Sequence, residues 1–225
     1  QKETRLKIPI LYGIDAIHGA NYVNGSTLFP QQLAQAATFN PELTRKASEV
    51  TAYETRAAGM TWNFSPVLDV ARNPLWSRVF ETYGEDALVC GRFGAAAVKG
   101  YQGNSGAINE QHVAACMKHF LGYGAARTGK DRTPAYISDI QLREIYLPPF
   151  QRAIESGALS LMINSGEING IPVHASKKIL TQLLRDELKF DGVAVTDWED
   201  VMKLHQNHRV ASNLKEAVFM AVEAS

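Results

Sequence analysis

An α/β fold built on a parallel sheet is what this 225-residue sequence predicts, on three observations. Short runs rich in β-branched and aromatic residues alternate with longer stretches of helical periodicity, the signature of βαβ units. The strand-like runs are apolar on both faces, as strands covered by helices on either side must be. The carboxyl ends of these runs carry polar and ionisable residues, and parallel α/β folds bind their ligands there.

The strand-like runs are "IPILYGID" (8–15), "GMTWNFSPVLD" (59–69), "VAACMKHF" (113–120), "LSLMINSG" (159–166) and "GVAVTDW" (192–198). Helical patterns cover 41–58, 85–102, 139–156, 176–189 and 213–224. Asn40 is the expected cap of the first, with Pro41 at its first position, where a missing N–H costs nothing. Asp139, Ser176 and Asn213 or Ser212 are the caps expected for the last three, and Gly157 the stop before the fourth strand. No internal repeat, low-complexity tract or Ser/Gly linker interrupts the chain, so residues 1–225 read as one domain. Both a doubly wound sheet and a (β/α) barrel fit. No GxGxxG follows the first strand and no P-loop is present, which weakens nucleotide binding. Five strand–helix pairs fall short of the roughly eight strands of a closed barrel. The expectation is therefore a portion of a longer protein.

Bulk properties narrow the function. Lys plus Arg and Asp plus Glu each number 23, so no basic surface for nucleic acid is expected. No apolar run approaches the roughly 18 residues of a membrane span. Cys90 and Cys116 form neither a CxxC pair nor a metal spacing and read as two small buried hydrophobes.

The strand ends carry the chemistry. The first ends on Asp15 and His18, the second on Asn63 and Asp69, and the third on Lys118 and His119. The fourth ends on Asn164 and Glu167, the fifth on Asp197 and Trp198. Five strands delivering such groups to one rim favour an active site. His18, His119 and Asp15 could supply metal ligands, but HExxH-type spacing is absent, and a Ser–His–Asp triad lacks its GxSxG elbow. Lys118 is a conceivable Schiff-base lysine, although a position beside His119 and near carboxylates suits a hydroxyl or anion ligand better. The remaining reading is recognition of a polyhydroxylated ligand. Asp15 supplies a forked acceptor, Lys118, His119 and Arg78 supply donors, and Trp198 an aromatic platform. A carboxylate among such donors stays ionised near neutrality and can attack an anomeric carbon, which makes Asp197 the candidate nucleophile.

These residues lie in blocks that together resemble the N-terminal barrel domain of family 3 glycoside hydrolases, the β-glucosidase and β-xylosidase group. The blocks run from "PILYGIDAIHG" through "FPQQLAQAATFN", "NFSPVLDVARNPLWSRVFETYGED", "KHFLGYG", "DRTPAYIS", "LREIYLPPFQRAI" and "NGIPVHAS" to "GVAVTDW". The resemblance implies an incomplete portion of a (β/α) TIM-like barrel and a retaining, exo-acting β-glycosidase that needs no cofactor and no metal. It implies that Asp197 forms a covalent glycosyl intermediate and that Asp15 clasps two sugar hydroxyls. Arg78, Lys118 and His119 become further hydroxyl ligands and Trp198 the wall of the same subsite, with Glu167 lining it.

The general acid is missing. In one branch of the family a His follows a "KHFPGHG"-like block, but this chain has Tyr123 in that block and no His in the loop after it. The resemblance therefore implies the glucosidase-like branch, in which a Glu comes from a second α/β domain downstream of these residues. Its substrate would be an oligosaccharide or β-glucoside, with no nucleic-acid or membrane partner, and its setting bacterial and periplasmic or secreted. Rival readings are a β-xylosidase, a carbohydrate-binding relative without turnover, and the Schiff-base enzyme. His18 is expected to brace Asp15 or touch substrate. Glu81, Asp86 and Arg132 read as structural pairs, possible company for Asp69; Trp62, Trp76 and Tyr83 read as core or rim packing. His112, His174, His205 and His208 receive no role.

Overall fold

Five parallel strands form a single sheet in the computed structural model, which describes residues 3–103 and 108–225. They are β1 (Gly13–Ile14), β2 (Trp62–Asn63), β3 (Ala114–Phe120), β4 (Ser160–Ile163) and, after a hairpin of β5 (Glu167–Ile168) and β6 (Ile171–Pro172), β7 (Val193–Val195). Their spatial order is β1-β2-β3-β4-β7, so every strand lies beside its predecessor in the sheet. A doubly wound sheet reverses direction at a switch point and a (β/α) barrel does not. The arrangement is a half-barrel in which Gly13 opposes Trp62, Trp62 opposes Ala114, and Ser160 opposes both Cys116 and Val193.

The helices are α1 (Gln32–Ala36), α2 (Pro41–Ala57), α3 (Ala87–Gln102), α4 (Asp139–Gln141), α5 (Leu147–Glu155), α6 (Asp200–Gln206) and α7 (Leu214–Ala224). A π-helical turn, Leu142–Tyr146, joins α4 to α5, and a second π-helical segment spans Lys178–Glu187. Asn40 caps α2 through the Glu42 amide and Asn213 caps α7 through the Glu216 amide, as side-chain acceptors at these positions should. Two expected caps move. Ser138, not Asp139, opens α4, in a capping box with Gln141. Ser176 lies ahead of its segment and accepts the Ile179 amide at 3.3 Å. Asp86, expected in a charge pair, instead caps α3 through the Leu88 and Val89 amides. Gly157 ends α5 with φ +89°, the left-handed turn that glycine takes without a Cβ penalty.

The core lies between the sheet and α2, α3 and α5. Leu68, Val98, Met117, Phe120, Phe150 and Leu161 are buried there, with Phe120 and Phe150 edge to face at 5.3 Å. Each such side chain stabilises the fold by about 1.5–3 kcal/mol. Close approach of α2 and α3 depends on Gly100, where a Cβ would collide with the Arg45 carbonyl and the Ser48 side chain. Both cysteines are buried free thiols, pushed up to about 12 by burial, and Trp76 and Tyr83 are core. Trp62 is half-buried and donates to Ser160.

Burial on both faces holds for β4 and nearly throughout β3, but not for β7, where Val193 is 56% exposed. Among the described residues β7 has a neighbouring strand on one side only. The register between β3 and β4 slips between Lys118 and Phe120. Such an irregularity re-aims side chains, so consecutive residues Lys118 and His119 both reach the same cleft. The peptide bonds Lys118–His119 and Phe120–Leu121 are cis.

Candidate active site

The carboxyl ends of the strands surround a cleft of about 840 Å³, lined by Asp15, Arg78, Lys118, His119, Asp197 and Trp198 among others. That volume suits a small ligand. Six of the seven site residues expected from sequence are thus brought together. The seventh, Glu167, is not: it sits in β5, where it bonds His208 Nδ1 at 3.2 Å, and it does not line the cleft.

Asp15 follows β1 directly, with its side chain 49% exposed, and Lys118 Nζ donates to its Oδ1. Lys118 is otherwise buried. An amine held by a carboxylate is not the free, desolvated amine that Schiff-base chemistry uses. The loop carrying Asp15 is braced by Asn63, whose side chain takes the Ala16 amide at 2.9 Å and returns a bond to its carbonyl at 3.0 Å. Asn164 does similar work elsewhere, bonding the Leu121 carbonyl and the Gly166 amide. These strand-end amides hold backbone, not ligand. His18 lines the cleft and bonds the Phe29 carbonyl through Nδ1 rather than bracing Asp15.

Behind the cleft, His119 Nδ1 meets Asp69 Oδ2 at 2.8 Å, and the His119 amide donates to the same oxygen at 3.2 Å. Burial pushes the Asp69 carboxyl up to about 7, against the pull of Arg78. Burial, with the charges of Arg78, Lys118 and Arg132, holds His119 well below its ordinary value, so the imidazole is neutral. In the tautomer that gives Nδ1–H to Asp69, Nε2 is left as an acceptor. Arg78 grips Glu81 with two bonds, Nε at 2.9 Å and Nη2 at 2.8 Å, and lies 5.5 Å over the Tyr123 ring. Both members of that pair line the cleft.

Asp197 stands just past β7. Its Oδ1 accepts the Trp198 amide at 2.5 Å, and its Oδ2 accepts Ser165 Oγ and Arg132 Nη2, each at 3.1 Å. Burial raises this carboxyl, but the Trp198 amide, Arg132 and Ser165 together outweigh it and hold it below the usual carboxylate range. Asp197 is therefore ionised at neutral pH. Trp198 is 78% exposed, so it forms the rim of the cleft and takes no part in the core.

Sequence reasoning missed two of Asp197's partners. Arg132, expected in a structural pair, does bind Asp200 at 2.6 Å, but it also binds Asp197 and lines the cleft. Its signal was its place in the "DRTPAYIS" block; Ser165 offered only the "NSG" after β4. Met162, Phe64, Phe80 and Tyr22 add apolar lining. Chemically, the cleft offers the ionised Asp197 carboxylate beside a cluster of hydrogen-bond donors and acceptors, with aromatic side chains on its lining.

Residues 1–225 match the family model of the glycosyl hydrolase family 3 N-terminal domain. The chain is 49% identical to a lysosomal β-glucosidase of Dictyostelium discoideum and 41% to a β-xylosidase of Formosa agariphila. These alignments cover 97% and 98% of the chain but 27% and 31% of the relatives. A solved β-glucosidase of Listeria innocua superimposes with a TM-score of 0.93 at 40% identity, over 99% of the chain and 30% of that enzyme. A β-glucosidase from intestinal bacteria, involved in saponin metabolism, reaches 0.97 at 38% identity, over 100% and 30%. The chain thus spans less than a third of the relatives it matches, which extend well beyond it. On this match, and on the half-barrel with its strand-end cleft, the chain belongs to glycosyl hydrolase family 3 and carries its N-terminal domain.

Proposed function

We propose that this domain carries the nucleophile of a retaining, exo-acting β-glucosidase that removes terminal glucose from β-glucosides or oligosaccharides. The observation that carries the proposal is Asp197: a carboxylate held ionised by three donors at the edge of a cleft whose opposite groups suit sugar hydroxyls. Asp15 and Lys118 form a paired acceptor and donor for two adjacent hydroxyls, with His119 and Arg78 beside them. Trp198 supplies a rim on which a sugar face can stack. Such contacts accelerate the reaction to the extent that they tighten on the oxocarbenium-like transition state.

In the first step Asp197 bonds to the anomeric carbon as the aglycone oxygen departs with a proton from a general acid. In the second, water adds to that carbon, gives its proton to the same group acting as base, and the electron pair returns to Asp197. We assign the acid/base to a Glu of a second, C-terminal α/β domain of the same protein, since relatives extend beyond the matched region. Relatives include periplasmic and lysosomal β-glucosidases, and among the described residues no helix is long and apolar enough to cross a membrane. The periplasmic relatives support a periplasmic or secreted setting.

The test is to incubate the full-length protein with a 2-deoxy-2-fluoro-β-glucoside and map the label by peptide mass spectrometry. Label on Asp197 is expected; label on any other residue sinks the assignment, and absence of any turnover of activated aryl glycosides marks a binding protein. A β-xylosidase is the second reading, supported by the 41% identical relative. Relative kcat/KM on aryl β-glucoside and aryl β-xyloside decides between them.

A further inference from the structure

Arg132 sits where a side chain could govern Asp197, and its backbone is built for the task. It belongs to a loop closed by the Arg127 amide on the Pro134 carbonyl at 3.0 Å and by Thr128 and Thr133 hydroxyls at 2.8 Å. Its own φ is +59°, a left-handed conformation that a residue with a Cβ adopts only when its surroundings demand it. What they secure is a two-pronged guanidinium. Nη1 binds Asp200 Oδ1 at 2.6 Å, and Nη2 binds Asp197 Oδ2 at 3.1 Å.

Asp200 is a firm anchor. Its side chain is buried, Lys203 Nζ holds the same Oδ1 at 2.7 Å, and its backbone opens α6. Its Oδ2 and the nearby buried His174 Nε2 have no hydrogen-bond partner among the described residues. Burial keeps His174 neutral, down to about 4. The charged and titratable groups acting on Asp197, on its anchor or on Arg132 itself include Arg132, Arg78, Lys203, Asp200, His174, Tyr123 and Asp131, whose Oδ2 lies 3.8 Å from Arg132 Nε. Of these, Arg132 alone makes a bond to Asp197 in the described structure.

We propose that Arg132, anchored on Asp200, is the positioning residue of the nucleophile and the cation that receives its charge when the glycosyl intermediate breaks down. The inference rests on the retaining reading above. Charge accounting gives it direction. Glycosylation converts the Asp197 carboxylate to a neutral ester, so a fixed cation beside it gives no help to that step. Hydrolysis of the intermediate breaks the C1–Oδ bond, the electron pair returns to Asp197, and a cation already in place stabilises the departing charge. Arg132 therefore favours deglycosylation and keeps the resting nucleophile ionised.

The test uses the full-length protein and its R132M and R132K variants. Two quantities are measured: the acidic limb of kcat/KM, and the rate at which isolated 2-fluoroglucosyl-enzyme regains activity. In R132M the limb is expected to rise by about one pH unit, as loss of an adjacent opposite charge requires, and reactivation to slow by about tenfold or more. R132K keeps the charge but not the two prongs, so its limb is expected to stay at the wild-type position while reactivation slows severalfold. A residue that merely held the fold would leave the limb in place. The proposal is overturned if R132M leaves both quantities unchanged, or if R132K moves the limb as far as R132M does. Should R132M not fold, R132K decides: slowed reactivation supports the proposal and a wild-type rate overturns it. Wild-type label found away from Asp197 overturns the retaining assignment itself and this inference with it, whereas correct labelling with unchanged variants overturns this inference alone.

Discussion

Replacing Asp69 by Asn should make the protein less sensitive to alkaline pH while impairing its catalysis. Asp69 is wholly buried, and its carboxyl rises from an ordinary 3.8 to about 7 in the folded chain. Between those values the folded state holds a proton that the unfolded state has lost. Stability from this group is therefore complete below pH 3.8 and declines as pH rises toward 7. At 1.36 kcal/mol per pH unit, the decline between pH 5 and pH 8 is about 3 kcal/mol. Asn does not titrate, so the stability of the variant relative to wild type should improve by about that amount over the same interval. For a domain of this size the gap in Tm should shift by about 6–12 °C. Thermal unfolding of both proteins at pH 5, 6, 7 and 8 measures it; a gap constant to within 2 °C would refute burial as the cause of the Asp69 shift. The catalytic effect has a separate origin. The His119 amide and Nδ1 both converge on Asp69 Oδ2, so an Asn places its oxygen there and keeps the tautomer, but as a neutral acceptor it holds the imidazole less firmly than the carboxylate does above pH 7. A fall in kcat/KM above pH 7 without loss of folding is expected, and an unchanged kcat/KM would mean that the Asp69 charge does not matter.

Four further outcomes follow from the geometry. Asp15→Asn loses the charge paired with Lys118, and kcat/KM on an aryl β-glucoside should fall about 10- to 100-fold, the worth of a hydrogen bond to a charged group; an unchanged value would remove Asp15 from the glycone site. Because Asp197 is held below the ordinary carboxylate range, the nucleophile should be ionised throughout pH 5–8, and the acidic limb of kcat/KM that it sets should lie below that range. A limb near pH 6 that persists in Asp69→Asn would contradict the assignment. Gly100→Ala forces a methyl against the Arg45 carbonyl and should destabilise by about 1–3 kcal/mol, whereas Leu161→Ala should cost about 2–5 kcal/mol through its cavity. Denaturation midpoints of the two variants check both.

Where the sequence succeeded, the physics was local. Asn40 followed by Pro41, and Asn213 ahead of an apolar helix, announce helix starts because capping uses atoms two or three residues apart. Burial of β3 and β4 was legible because nothing polar interrupts Ala114–Met117 or Leu161–Ile163. The α1 helix was not legible, since Gln31 caps it with no side-chain bond. Likewise, Ser138 and Asp139 are both good cap residues, and the sequence alone does not rank them.

The sequence by itself determined the parallel α/β class and five of the cleft residues, Asp15, Lys118, His119, Asp197 and Trp198, which follow from periodicity and from where strands stop. Arg78 ends no strand and stands out only through the block that resembles the family. Tertiary structure decided what distance along the chain conceals. It separated the doubly wound sheet from the half-barrel, turned Glu167 toward His208, and left Trp198 on the rim instead of in the core. It also brought Arg132 across 65 residues of sequence to Asp197, and Asp69 across 50 to His119. A carboxylate's ionisation depends on charges and burial within a few ångströms, and those neighbours exist only once the chain has folded.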